Sequence, residues 1–142
     1  MLTVRTILQS KGSTVFHVSP DATVLDALRA MAEHNCGALI VLEQGRPIGV
    51  VSERDYARKV VLMGRLSKST FVREIMNEDV VRVPLTMGVH ECMRLMTERR
   101  SRHLLAFDGD RIAGVVSIGD VVKAVIDEQQ FTIKQLEKYI TG

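Results

Sequence analysis

A serine followed three residues later by an aspartate occurs twice in this chain, as Ser52 with Asp55 and as Ser117 with Asp120. Each pair follows a Gly-Val-Val run, typical of the end of a strand, and precedes a segment with helical character. At the start of a helix these residue types form a capping box and need have no further role. The same turn could also bind a nucleotide, because free N–H groups favour phosphate and a carboxylate can accept hydrogen bonds from a ribose diol.

The seven residues around this signature are the most faithful part of a tandem duplication. Residues 49–55 return as residues 114–120, an offset of 114 − 49 = 65. The same offset matches Arg29 with Arg94 and Leu39 with Leu104, without a gap. A fixed period of this length indicates a repeated structural unit. Two signatures at equivalent strand-to-helix junctions argue for ligand binding more strongly than one would.

Each unit predicts the order strand, helix, strand, strand, helix, so the fold class is α/β (α+β) with two pseudo-symmetric β-α-β-β-α repeats. A short helical lead-in at residues 4–8 has an echo at residues 72–76. Repeat boundaries, the polar linker and the C-terminal helix then divide the chain. We predict repeat 1 with its lead-in at 1–64, a linker at 65–71, repeat 2 at 72–126 and a C-terminal helical extension at 127–142.

The C-terminal extension has an apolar period of its own. Ile126, Ile133 and Ile140 are seven residues apart, and Leu136 lies between the last two. This spacing places them on one face of a helix, where they could cover the core or pack against a second copy of the chain. We predict a homodimer.

Composition excludes several classes of partner. The net charge of +2 and an aromatic content of 4%, without tryptophan, argue against nucleic-acid binding. No apolar run approaches the length of a membrane span. Cys36 and Cys92 are not equivalent in the repeat, and the histidines lack metal-ligand spacing, so we predict no metal and a reduced, cytoplasmic protein.

The order of elements and the doubled Gly-Val-Val-Ser-x-x-Asp resemble a pair of CBS domains (cystathionine-β-synthase-type repeats), also called a Bateman module. The resemblance covers roughly residues 4–126. It implies that the two repeats pack through their sheets into one module. It also implies two clefts between the repeats that bind AMP, ADP, ATP, NAD or S-adenosylmethionine, and modules that pair as homodimers.

The resemblance carries roles to particular positions. It implies that Asp55 and Asp120 hold the ribose hydroxyls of the two clefts. It also implies that Ser52 and Ser117 lie beside the ribose or the phosphate. Those implied for an adenine sandwich are Val18, Val83 and Ala38. The positive charge and N–H groups that phosphate needs have as candidates Arg54, Arg102, His103, Lys11 and Gly12.

The two clefts are expected to differ in affinity, because the repeats differ at the phosphate candidates. Arg102 and His103 are matched by Gly37 and Ala38, which carry no charge. Arg54 has a glycine as its counterpart. A surface role for Arg102 remains an alternative.

We therefore predict an adenine-nucleotide-binding regulatory module that acts through its dimer or on a protein effector in trans. The alternative is a nucleotide-independent interaction module in which the capped helices are structural and the tail helix docks a partner. An enzyme is the less favoured reading. His103, Ser117 and Asp120 supply the residue types of a triad, but the chain has no G-x-S-x-G elbow, P-loop or G-x-G-x-x-G motif.

Overall fold

A computed structural model describes residues 2–141 and divides the chain into two compact units. We call Val15–Val80 the first-repeat unit. The N-terminal segment up to Thr14, together with the chain from Val81 onward, is the second-repeat unit. In chain order the elements are α1 (Val4–Lys11), β1 (His17–Val18), α2 (Val24–His34), β2 (Ala38–Glu43), β3 (Arg46–Ser52), α3 (Glu53–Tyr56), a π-helical segment (Ala57–Val61), α4 (Val72–Ile75), β4 (Arg82–Pro84), α5 (Val89–Arg99), β5 (His103–Asp108), β6 (Arg111–Ser117) and α6 (Ile118–Thr141).

The two units contain the same three-stranded sheet. In the first-repeat unit the strand order is β1-β2-β3, and in the second it is β4-β5-β6. The first pair of each sheet is parallel and the second pair is antiparallel. The register shifts between Val41 and Leu42 in one sheet and between Ala106 and Phe107 in the other, which are equivalent positions of the repeat. The duplication and the mixed α/β fold are thus confirmed.

Each unit has its own cluster of buried apolar side chains beneath its sheet. In the last strand of both sheets the same two positions are buried, the glycine and the second valine of Gly-Val-Val. Alternate residues of a strand point to opposite faces, so this pattern turns the second valine inward and leaves the first valine half-buried. The largest fully buried side chains include Leu39 and Val51 in one unit and Leu104 in the other.

The glycine of each signature lies at a close approach of another segment: the residues that follow α4 at Gly49, and α1 at Gly114. A Cβ on Gly49 would lie 2.9 Å from Met76 Sδ and 3.0 Å from the Asn77 carbonyl. A Cβ on Gly114 would lie 2.7 Å from Leu8 Cδ2. At Gly49 a side chain would meet the Asn77 backbone carbonyl, whereas at Gly114 it would meet the end of the Leu8 side chain, which would have to move.

This packing distributes the lead-in helices differently from the sequence repeats. α1 precedes the first repeat in sequence but lies in the second-repeat unit, where it contacts β6. α4 precedes the second repeat but lies in the first-repeat unit. The division at 1–64, 65–71, 72–126 and 127–142 stays a prediction about the sequence. Its boundaries differ from those of the compact units because each lead-in helix belongs to the unit of the other repeat.

The helices after the two signatures differ in length and type. The helix expected after Asp55 begins as α3 and continues as the π-helical segment, in which Leu62 N–H donates to the Ala57 carbonyl at 3.1 Å. Gly64 follows with a φ of 68°, which suits its predicted role as a helix stop. α6, by contrast, runs for 24 residues and covers the extension expected at 127–142 as far as Thr141, while residue 142 lies outside the described residues.

Candidate functional site

The first signature forms a complete capping box. Ser52 has extended backbone geometry, and its Oγ accepts a hydrogen bond from Asp55 N–H at 3.2 Å. In return, Asp55 Oδ2 accepts one from Ser52 N–H at 2.9 Å and another from Ser52 Oγ at 3.0 Å. The side chain of Asp55 keeps 15% of its surface exposed. The carboxylate is therefore fixed by the helix start and still accessible.

The second signature repeats this geometry. Asp120 N–H donates to Ser117 Oγ at 3.2 Å, and Ser117 N–H donates to Asp120 Oδ2 at 2.8 Å. The side chain of Asp120 is 22% exposed. Both capping boxes are thus confirmed. The capping role is satisfied in each unit, and any ligand role would be added to it.

A lysine ammonium accompanies each signature carboxylate. Lys59 Nζ lies 3.3 Å from Asp55 Oδ1 and donates to the Ile75 carbonyl at 2.9 Å. Lys11 Nζ lies 2.7 Å from Asp120 Oδ2 and donates to the Val115 carbonyl at 2.9 Å. In both units the lysine bridges the signature turn and a lead-in helix, since Ile75 ends α4 and Lys11 ends α1.

These lysines are not equivalent in the repeat, so the duplication does not reveal them. Sequence reasoning missed Lys59, although its position four residues after Asp55 is the spacing of a helical ion pair. Lys11 was proposed as a phosphate group ligand. In the structure its ammonium donates to the Asp120 carboxylate, 109 residues away in sequence, and its role toward phosphate stays a prediction.

The protonation state of Asp120 follows from its surroundings. Burial raises the pKa of the Asp120 carboxyl, but hydrogen bonds from Lys11 Nζ and from Ser117 outweigh that effect. The net result is a pKa below the ordinary value for aspartate. Asp120 is therefore ionised at neutral pH and acts as a hydrogen-bond acceptor only.

Two further candidates lie at the same end of the second sheet as Asp120. His103 is paired with Ser117 across the antiparallel strands, and the Arg102 carbonyl accepts from Ile118 N–H at 2.9 Å. His103 is half-buried and Arg102 is exposed. Lys11 therefore contacts the second signature with its side chain, and Arg102 and His103 adjoin it through the backbone.

The first-repeat unit has the same backbone arrangement, with uncharged residues at the positions equivalent to Arg102 and His103. Ala38 is paired with Ser52, and the Gly37 carbonyl accepts from Glu53 N–H at 3.0 Å. Arg54 is exposed in α3. The predicted contrast between the two signatures thus has a structural counterpart at equivalent positions.

The remaining candidates lie farther from the signatures. Val18 is half-buried and pairs with Val41, three residues along β2 from Ala38. Val83 is only 2% exposed and belongs to the core of the second-repeat unit. Gly12 follows α1 with a φ of 98°, and its N–H donates to the Leu8 carbonyl at 2.9 Å. The adenine contacts assigned to Val18 and Val83 stay predictions.

Among residues 2–141 there is no group of three or more His, Cys, Asp or Glu side chains arranged to hold a metal ion. Within the same residues, no helix combines the length and apolar character needed to cross a membrane.

Comparison with known proteins places the chain in a family. The family model for the CBS domain matches it twice, at residues 4–62 and 72–127. The chain belongs to the CBS-domain family. Its two signature turns are therefore the paired turns of a tandem CBS module, and the resemblance stated from the sequence is confirmed.

Similar CBS proteins are known from several organisms. The mitochondrial CBS domain-containing protein CBSX3 of Arabidopsis thaliana is 39% identical over 99% of this chain and 72% of its own length. A protein with CBS domains from Burkholderia ambifaria is 50% identical, with a TM-score of 0.85 over 92% of this chain and 98% of that one. The CBS-domain protein ATU1752 of Agrobacterium tumefaciens is 35% identical, with a TM-score of 0.80 over 86% and 98%.

Longer proteins contain a similar module as one part. Arabinose 5-phosphate isomerase KdsD of Yersinia pestis is 30% identical over 80% of this chain, which spans only 34% of the isomerase. The likeness thus covers a minor part of that enzyme. Tandem CBS modules are generally regulatory.

Proposed function

We propose that this CBS module binds an adenine nucleotide (AMP, ADP, ATP or NAD) and that Asp55 and Asp120 accept hydrogen bonds from its ribose hydroxyls. One observation carries the proposal. In both units the signature carboxylate is held by serine at a strand-to-helix turn, yet keeps part of its surface exposed. An accessible carboxylate at both equivalent turns supports a ligand role in addition to capping.

The capping role and the ligand role are compatible. An ionised carboxylate has about four lone-pair directions, and the main-chain hydrogen bond from Ser117 occupies only one of those of Asp120. The lysine ammonium at 2.7 Å competes for another. A ribose diol that reaches Asp120 displaces this ammonium or shares the carboxylate with it. Once released, Lys11 is a cation on a flexible stem, suited to a phosphate group nearby.

The two signatures are proposed to bind phosphate unequally. Each signature has a lysine ammonium at its carboxylate, Lys59 in the first and Lys11 in the second. Arg102 and His103 adjoin the second signature in addition, whereas the residues at the equivalent positions of the first, Gly37 and Ala38, carry no charge. Charge-assisted hydrogen bonds to phosphate are about twice as strong as neutral ones. We therefore expect ADP and ATP to favour the second signature and the affinity difference to shrink for adenosine.

A thermal-shift panel of AMP, ADP, ATP, NAD and S-adenosylmethionine tests the proposal. A ligand at one hundred times its dissociation constant stabilises a one-site protein by about 2.7 kcal/mol, which is readily detected. We expect stabilisation by at least one adenine nucleotide and none by the matching guanine or uridine nucleotide. A panel without any adenosyl-dependent shift would contradict the proposal.

A second candidate is a nucleotide-independent interaction module, and the long exposed face of α6 favours it. In either case we propose that output passes through a homodimer or a protein effector in trans. A cyanobacterial CBS-CP12 protein described as hexameric is 31% identical to this chain, with a TM-score of 0.77, which supports self-association as the route. We keep the cytoplasm as the proposed location, although the similar CBSX3 is mitochondrial.

A further inference from the structure

The C-terminal half of α6 has an apolar face that the described chain does not cover. Val121, Ala124 and Val125 of α6 pack against the core of the second-repeat unit. From Gln129 to Thr141, by contrast, every residue is exposed. A helix of about a dozen residues without packing is only marginally stable in water. This half of α6 therefore needs a partner surface to be stable.

The exposed apolar side chains follow a heptad pattern. The d positions are Val122, Gln129 and Leu136, and the a positions are Ile126, Ile133 and Ile140. The apolar members are between 44% and 81% exposed. Alternating spacings of three and four residues form the narrow seam by which two helices pack side by side. Phe131 is also exposed, but it lies on the opposite side of the helix, about 160° from Ile133 at 100° per residue.

We propose that this seam binds α6 of a second copy of the chain in an antiparallel pair. With a positions facing d positions, Ile126 lies against Leu136 of the second copy, and Ile140 lies against Val122. Gln129 lies against Ile133 near the centre. Because the arrangement is two-fold symmetric, each of these contacts occurs twice.

The charges beside the seam decide the orientation. Lys123, Gln130 and Glu137 occupy the e positions along one flank of α6. In an antiparallel pair, e positions face e positions, so Lys123 meets Glu137 of the second copy and Gln130 meets its own equivalent. Among the described residues, neither Lys123 nor Glu137 has an ion pair within the chain.

A parallel pair lacks this complementarity. There the e residues face the g residues of the other helix, which places Lys123 beside Ile118 and Glu137 beside Thr132. Neither contact joins opposite charges. The antiparallel pair is therefore favoured. This pairing of the two α6 helices does not depend on nucleotide binding, since none of the seam residues belongs to the signatures.

The first experiment compares Ile133→Asp with Phe131→Asp by sedimentation equilibrium of the full chain. Both variants place a carboxylate on the same exposed helix, but only the first places it in the seam. We expect wild type and Phe131→Asp to dimerise, and Ile133→Asp to dimerise roughly a hundredfold more weakly because it buries an unpaired charge. A monomeric wild type, or a dimer that is indifferent to Ile133→Asp, would overturn the proposal. Circular dichroism checks that both variants fold.

The second experiment tests orientation by disulfide formation in a Cys36→Ser background. In an antiparallel pair, the two copies of residue 140 are about 27 Å apart, from 18 residues at 1.5 Å each. Ile140→Cys alone should then form no disulfide dimer, whereas a mixture of Val122→Cys and Ile140→Cys chains should form the mixed one. Rapid homodimer formation by Ile140→Cys would show a parallel pair and refute the proposal.

The charge pair supplies a third test through a double-mutant exchange. Lys123→Glu and Glu137→Lys should each weaken the dimer, by roughly two- to fivefold for exposed pairs, because like charges then meet twice. The double variant Lys123→Glu/Glu137→Lys should recover wild-type association. Recovery that depends on salt supports the pairing, and additive weakening of the double variant contradicts it.

Discussion

Replacing Asp120 by alanine separates its role in capping α6 from its role in binding a ligand. Loss of an N-terminal cap costs about 0.5–2 kcal/mol of stability. The ion pair with Lys11 adds little, about 0–1 kcal/mol, because both side chains are partly exposed. We therefore expect Asp120→Ala to lower the free energy of unfolding of the ligand-free protein by about 1–2 kcal/mol.

The effect on binding should be larger. If Asp120 accepts ribose hydroxyls, the lost charge-assisted hydrogen bonds weaken nucleotide affinity by about 1.5–3 kcal/mol, or roughly ten- to a hundredfold. Asp55→Ala should do the same at the other signature, so the double variant is the strict test. Urea unfolding measures the first effect and titration calorimetry measures the second.

Two controls make the result interpretable. Lys11→Met removes the ion pair and leaves the carboxylate of Asp120 in place, so adenosine binding should be maintained or improved. A 2′,3′-dideoxynucleotide should bind wild type poorly and be almost indifferent to Asp120→Ala. If the double variant is less stable but binds AMP, ATP and NAD as wild type does, the two aspartates are caps only and the reasoning fails.

Three further outcomes are expected. The pKa of Asp120 in the folded protein lies below its unfolded value of about 3.9. Its contribution to stability is therefore complete above the unfolded pKa and is lost as pH falls through the folded pKa. Acid unfolding monitored by circular dichroism should thus be shallower in Asp120→Ala. Burial raises the pKa of the Cys92 thiol to about 11, so a thiol reagent at pH 8 should modify the half-buried Cys36 in the native protein and reach Cys92 only after denaturation. Gly49→Ala should lower stability by about 1–3 kcal/mol in urea unfolding because the new methyl group meets Met76 and the Asn77 carbonyl. Gly119→Ala, with its nearest neighbour at 3.7 Å, should be neutral or stabilising, and equal effects of the two changes would contradict the packing argument.

The sequence by itself determined the features that depend on near neighbours in the chain. The capping boxes join residues three apart, Ser52 with Asp55 and Ser117 with Asp120, and both form as expected. The duplication determined that two equal sheets would form. The spacing of Ile126, Ile133 and Ile140 predicted a helix through this region, because helical periodicity is a property of consecutive residues, and α6 runs from Ile118 to Thr141.

The tertiary structure alone decided what lies against those elements. Nothing local indicates that α1 packs in the unit of the second repeat, or that Lys11 reaches Asp120 across 109 residues. Gly49 and Gly114 are predicted from the sequence only as parts of a strand, whereas the structure shows Met76 and Asn77 close to the first and Leu8 close to the second. Such contacts follow from which apolar surfaces can be buried together, and that is a property of the whole folded chain rather than of any short segment.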